Sequence, residues 1–265
     1  MQTTPRIISI LNTNSLDTSI TGLQTFNLSE LNLVAELDFP LPTNLRLGHL
    51  AEVVVSGLIK LSTNYEVLYE NVQLTEHKKT VGEIDFIIAD NDNNRLIHME
   101  LAYKFYLYDP KISSETINNW IGPNRNDSLK EKLDKVKNKQ FPLLDHGSAV
   151  LAFDKIELTQ VTQTLCLLVS LFIPFEYKES FSSAYEKAIK GYYLNIEKFL
   201  RRDHSQKSYY LPAKREWGID PSENKTWSKF NDMEQRLHDS ISEKQALLCW
   251  QRAKDSYESF FIVWW

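Results

Sequence analysis

The sequence predicts an α/β protein with a helix–three strands–helix–strand core, a mixed central sheet and C-terminal α/β additions. Three observations carry this expectation. A helical period covers Asn44 to Leu61. Two β-rich runs flank the turn signal Asn91-Asp92-Asn93-Asn94. A second helical stretch, Asp127 to Phe141, precedes the apolar run Leu165–Pro174.

Residues 1–43 are polar and irregular and are read as a loop-rich arm with a short helix near 28–36. The first core helix follows, with Leu47, Leu50, Ala51, Val54, Leu58 and Leu61 on one stripe. Tyr65–Leu74, Gly82–Ala89 and Arg95–Tyr108 are the three strands, the last two forming a hairpin. A polar loop carries Trp120-Ile121-Gly122-Pro123, and Asp127 is read as the N-cap of the second helix. That helix has the inward stripe Leu129, Leu133, Val136 and Gln140, so a glutamine falls on an apolar face. Further on, Ser183–Lys190 and Ile196–Arg202 read as helices and Tyr209–Pro212 as a short strand. Asp232–Phe260 reads as one or two helices, and Phe261–Trp265 as strand-like. No linker rich in Gly, Ser or Pro interrupts the chain, so a single domain is expected over 1–265, with its core at about 44–174 and additions at about 175–265.

Composition narrows the function classes. The 265 residues are 42% hydrophobic and 25% charged, ordinary for a globular protein, with a formal net charge of −5. An acidic total does not advertise nucleic acid, although a local basic strip can suffice. No apolar run reaches the ~18 residues of a membrane span, and the N-terminus lacks signal-peptide features. Cys166 and Cys249 are the only cysteines, so neither a disulfide framework nor a thiolate metal site is implied. A cytoplasmic protein with no membrane partner is expected; the oligomeric state is left open.

The chemistry is carried by the hairpin. Side chains alternate along a strand, so His98, Glu100, Ala102, Lys104 and Tyr106 share one face, and Glu83 and Asp85 share a face of the preceding strand. A four-residue loop at 91–94 pairs Asp90 with Arg95, and counting back five positions sets Asp85 opposite Glu100. Paired carboxylates at roughly 4.5–5.5 Å repel unless a proton or cation lies between them. Oxygen ligands of this kind suit Mg²⁺ or Mn²⁺. Glu52, on the first helix, could complete the ligand set, and Lys104 could steady a charged transition state. Taken singly each residue has a plainer reading: Asp85 on an exposed strand face, Glu52 solvated, His98 a packing residue. Only the joint arrangement favours a site.

A helix with glutamate, then GEIDF, then HMELAYKFY resembles the PD-(D/E)XK nuclease superfamily, whose members share a restriction-endonuclease-like αβββαβ core and commonly cut DNA with Mg²⁺. The resemblance implies Asp85 as the second-strand aspartate, Glu100 as the third-strand glutamate and Glu52 as the helix glutamate, all three metal ligands. More closely the chain resembles a bacterial family, domain of unknown function 1853. This second likeness rests on LGHLAE (47–52), TVGEIDFII (80–88), HMELAYKFYL (98–107), WIGP (120–123) and the helix ending in Gln140. Weaker pieces are GYYL (191–194), YYLPAKREW (209–217) and FFIVWW (260–265). One departure stands out: the superfamily's Glu-x-Lys would put lysine at 102, where the chain has Ala102. Lys104 keeps the face but lies about 7 Å further along the strand.

Between Asn124 and Lys139 six cations (Arg125, Lys130, Lys132, Lys135, Lys137, Lys139) outnumber three acids (Asp127, Glu131, Asp134). Lys78 and Lys79 precede GEIDF and are expected close to the metal. With Arg125, Lys132 and Gln140 they are the candidate nucleic-acid contacts, against the plainer reading of a solvated mixed-charge helix. Three functions follow: a Mg²⁺-dependent nuclease on DNA, an inactive nuclease-like fold that binds nucleic acid or protein, and a phosphoesterase acting on a small nucleotide.

Overall fold

The computed structural model describes residues 3–34, 36–222, 224–254 and 256–265. The fold is mixed α/β, and nine strands are found among the described residues, in both parallel and antiparallel pairs. The chain divides into two compact units: Met1–Tyr103 with Glu131–Val169, and Lys104–Lys130 with Ser170–Trp265.

In the first unit the arm is more regular than its polarity suggests. It contains helices α1 (Thr3–Leu11) and α2 (Thr18–Thr21) and a 3₁₀ turn at Leu28–Glu30. Among the described residues of 28–36, where a helix was expected, the 3₁₀ turn at Leu28–Glu30 forms; Ala35 lies outside the described residues. Ile7 and Ile10, one helical turn apart, are fully buried, which is why the short α1 docks. Backbone bridges tie the arm at Ser15 to Leu168 and at Thr25 to Leu165.

Helix α3 (Leu47–Lys60) buries Leu47, Leu50, Ala51, Val54 and Leu58, as its period requires. Ser56 and Lys60 both donate to Glu70 of strand β1, the lysine at 2.6 Å, which ties the helix to the sheet. Strand β1 (Tyr65–Glu76) pairs antiparallel with β2 (Lys79–Asp90), and β2 with β3 (Arg95–Tyr108). His77 and Lys78 form a two-residue turn with φ of 46° and 63°. Two positive φ values match the right-handed strand twist, so both strands extend to the turn although neither residue is glycine.

Strand β4 (Trp120–Ile121) pairs with the end of β3, and helix α4 spans Leu129–Lys135. The expected helix to Phe141 changes character at Val136: the Phe141 amide reaches back to the Val136 carbonyl, a π turn over Val136–Gln140. Phe141–Asp145 then closes as 3₁₀, with Pro142 near its start. Proline has no N–H to return the chain to the α ladder after the π turn, in keeping with the 3₁₀ geometry of Phe141–Asp145. The helix begins at Leu129, two residues after Asp127, whose carboxylate binds Lys104 at 2.7 Å. After α5 (Gly147–Ala152), strand β5 (Val161–Pro174) carries the apolar run. Leu74, Ile84, Ile87, Leu143, Leu144, Ala149 and Phe153 pack as one core cluster here.

In the second unit the helical readings are partly overturned. Helix α6 covers only Ser183–Glu186, and strand β6 (Ile189–Asn195) replaces the end of the expected helix. β6 lies parallel to β5 on one side and to β9 on the other. Helix α7 (Ile196–Leu200), strand β7 (Ser208–Tyr210) and helix α8 (Phe230–Ser242) follow. Beyond α8, the described residues of Asp232–Phe260 hold strands where helix was expected: β8 (Leu247–Ala253) and β9 (Ser256–Val263) form an antiparallel hairpin. Aromatic and β-branched side chains in LLCWQRA and SYESFFIV favour the pleated surface, and packing decided for strand. Leu194, Phe199, Tyr209, Met233, Leu237, Cys249, Phe260 and Ile262 make this unit's core.

No described helix is long and apolar enough to cross a membrane.

Candidate functional site

The hairpin register is fixed at its turn. Asp90, almost fully buried, accepts from the Asn93 amide at 3.1 Å and from Arg95 Nη2 at 2.6 Å. These partners, the guanidinium and the Asn93 amides, more than offset burial and hold its carboxyl below the ordinary range. Pairing then runs Asp90–Arg95, Ala89–Leu96, Ile88–Ile97, Ile87–His98 and Phe86–Met99. The backbone pairing ends there, one residue short of Asp85 and Glu100. At this point the Asp85 side chain enters the ladder: Oδ2 accepts the Leu101 amide at 2.8 Å.

Glu100 is fully buried and Asp85 is 9% exposed. His98 Nε2 contacts Glu100 Oε1 at 2.8 Å, and Gln140 Nε2 donates to Oε2. Lys132 Nζ in turn donates to Gln140 Oε1 at 2.9 Å. Lys132 and Gln140 are half-buried, and they come from α4 and from the π turn that follows it. The π turn thus matters to the site, because it delivers the amide that holds Glu100.

The electrostatics follow from burial. Desolvation pushes Asp85 up to about 7; the Glu100 charge adds to this, the Leu101 amide opposes it, and Glu52 raises it further. Glu100 is also pushed to about 7 by burial, against the pull of Lys132, Asp85 and Gln140. Charged Glu100 raises Asp85, while protonated Asp85 donates to Glu100, so the two behave as one unit that shares a proton. Burial drives His98 down to about 4, so at neutral pH the imidazole is uncharged. Its contact with Glu100 is therefore an N–H donation rather than an ion pair, and it leaves Nδ1 buried without a partner.

The structure thus brings Asp85, Glu100, Glu52, Lys132 and Gln140 into one electrostatic neighbourhood. Glu52 lies on α3, its carboxylate 3.0 Å from His49 Nδ1. Other expected residues go elsewhere. Lys104 binds Asp127 at 2.7 Å, and the cation whose field reaches both carboxylates is Lys132. Lys78 and Lys79 sit at the β1–β2 turn rather than beside Asp85; six residues along β2 put Lys79 about 20 Å away. Arg125, in the second unit, pairs with Asp109 at 3.1 Å and lies over the Trp265 ring at 4.5 Å. Sequence reading named Lys132 only as a candidate nucleic-acid contact and missed its placement beside the carboxylates, since strand parity says nothing of a lysine arriving from a helix. It also missed the hydrogen bond between His98 and Glu100, although their shared strand face was the available signal.

Among the described residues no three His, Cys, Asp or Glu side chains form a group able to hold a metal ion. A cation here would have two carboxylates as its protein ligands. That donor set fits Mg²⁺, which keeps several waters and is bound through one or two carboxylates plus substrate oxygens. It does not fit a closed structural zinc site, which needs four protein ligands.

Over residues 6–259 the sequence matches the family described as domain of unknown function (DUF1853). The chain belongs to that family. No curated protein and no solved structure matches this DUF1853 member.

Proposed function

We propose that this protein is a divalent-metal-dependent phosphodiesterase acting on DNA, in which Asp85 and Glu100 are the metal ligands of a restriction-endonuclease-like αβββαβ core. In this reading 1–265 forms one nuclease-like domain and works in the cytoplasm. One observation carries the proposal: two buried carboxylates on adjacent strands meet with both affinities for protons raised to about 7. Such a pair is costly to keep ionised unless a cation joins it. When bound, Mg²⁺ or Mn²⁺ supplies Lewis acidity toward a phosphoryl oxygen and lowers the pKa of a coordinated water.

The chain's own residues have separable tasks. His98 and Gln140 fix both oxygens of Glu100 by hydrogen bonds, which leaves little rotamer freedom at that ligand. The Leu101 amide fixes Asp85 in the same way. Lys132, held by Gln140, is the cation able to offset charge on a phosphoryl group, the task assigned from sequence to Lys104.

A second reading has a specific observation behind it. His98, Gln140, Leu101 and a shared proton already satisfy most of the carboxylate oxygens. A metal-free pair of this kind suits an inactive nuclease-like module that binds nucleic acid or protein. Cleavage of single- and double-stranded DNA with Mg²⁺ or Mn²⁺, comparing wild type with Asp85→Asn and Glu100→Gln, separates the two. Metal-dependent cleavage lost in both variants supports the hydrolase. DNA binding without cleavage in the wild type supports the module.

A further inference from the structure

The second unit holds a half-open cavity of about 520 Å³, and none of its lining residues belongs to the carboxylate cluster. Its volume is in the range of ordinary small-molecule sites, roughly 300–1,000 Å³. The walls are Phe175, Tyr193 and Trp265, with Pro110 and Pro174 beside them. Tyr193 and Trp265 sit with ring centroids 5.2 Å apart, and the Trp265 indole is anchored by donation to the Pro123 carbonyl at 3.1 Å. Arg125 lies over the indole, so the aromatic wall a planar ligand can rest against is that of Tyr193 and Phe175 beside Trp265.

Charge selects the other half of the ligand. Lys111, Arg125 and Lys198 line the cavity against a single acid, Asp109, so the lining carries three positive charges less one, or +2. The chain as a whole carries −5, so the local sign is inverted. Asp109 is already engaged: Oδ1 accepts the Lys111 amide and Oδ2 accepts Arg125 Nη1, each at 3.1 Å. That carboxylate therefore acts as the brace of Arg125 more than as a repellent for an anion. With its Cζ over the Trp265 ring at 4.5 Å and one nitrogen bound to Asp109, the guanidinium is pre-organised and keeps further donors available. Asn195 fixes the other side, its Oδ1 accepting the Lys198 amide at 2.9 Å.

We propose that this cavity binds a nucleoside monophosphate group, the base resting against Tyr193 and Phe175 beside Trp265 and the phosphate held by Arg125, Lys111 and Lys198. Aromatic stacking beside Arg and Lys is the common way to hold a nucleotide without reading its base. The same chemistry is offered by a free mononucleotide and by the 5′-phosphorylated end of a DNA strand. The proposal is independent of the metal site, and EDTA in every assay keeps the two apart.

Titration uses the full chain, with intrinsic tryptophan fluorescence and calorimetry as readouts. The probes are adenosine 5′-monophosphate, adenosine, inorganic phosphate, and a short single-stranded DNA with either a 5′-phosphate or a 5′-hydroxyl. Saturable binding of the monophosphate, at least tenfold tighter than adenosine or phosphate alone, is the result expected for a free nucleotide. Binding confined to the 5′-phosphorylated strand, and absent with the 5′-hydroxyl strand, supports a strand end as the source. Lys198→Ala and Lys111→Ala, both at exposed positions, should each weaken binding about tenfold without shifting the melting temperature. Arg125→Lys tests the stacked guanidinium and should weaken binding by more. Absence of saturable binding by any phosphorylated probe would overturn the proposal. So would a monophosphate bound no tighter than adenosine together with equal binding of both strands, or affinities unchanged in all three variants.

Discussion

Replacing Asp85 with asparagine keeps the shape of the side chain and removes its charge. The substituted side chain can still accept the Leu101 amide through its oxygen, and its own amide can donate to Glu100, so no hydrogen bond is forfeited outright. What changes is the pH dependence. Asp85 titrates at about 7 when folded, against an ordinary value of 3.8. The folded state therefore holds the extra proton between these limits, and the contribution of Asp85 to stability is full below about pH 4 and lost as pH rises through 7. A shift of this size bounds the penalty of the ionised form at about 4 kcal/mol. Glu100 remains buried in the variant, and an amide oxygen accepts more weakly than a carboxylate, so a gain of roughly 2 kcal/mol at pH 8 is the reasonable figure. His98 has the opposite sign. Lowered to about 4, it costs stability as pH falls through 6.5 and so offsets one of the two raised carboxyls, Asp85 and Glu100; the wild-type profile should still fall with rising pH between 4.5 and 6.5, by about 1.4 kcal/mol per pH unit. Urea denaturation in EDTA at pH 8 and pH 5 tests this. Asp85→Asn should be stabilised at pH 8 and change little at pH 5. Equal destabilisation at both values would refute the reasoning, because the charged carboxylate would then be a net support of the fold.

Lys132→Ala removes the cation whose field lowers both carboxyls, so the apparent midpoint of the pair should rise above 7; carboxyl-carbon NMR titration reads it, and an unchanged midpoint would count against the assigned position of the lysine. Gly191→Ala should destabilise by more than about 3 kcal/mol in denaturation. A Cβ there would overlap the Ser259 carbonyl of β9, a backbone atom that cannot rotate away.

The core of the first unit was legible because its signals are local. Asn91–Asn94 set the hairpin register, and Asp90 fixes it with the bonds expected of a turn acid. The α3 stripe is a plain 3.6-residue period. Asp85 and Glu100 could be set against each other by counting from that turn. Lys132 could not be placed, since its approach depends on α4 and on a π turn that no periodicity announces. β8 and β9 were misread because apolar residues such as Leu247, Leu248, Phe260 and Phe261 fit a helix or a strand equally until a neighbouring strand is known. The φ values of His77 and Lys78 hid the tight β1–β2 turn for a related reason: nothing in their side chains requires a left-handed backbone.

Direct binding of Mn²⁺, measured by calorimetry at pH 8 on wild type, Asp85→Asn and Glu100→Gln, bears most closely on the central claim. The account predicts saturable binding to the wild type, with proton release as pH is lowered toward 7, and its loss in both variants while each remains folded. Absence of binding by the wild type, or binding that survives both substitutions, would contradict it.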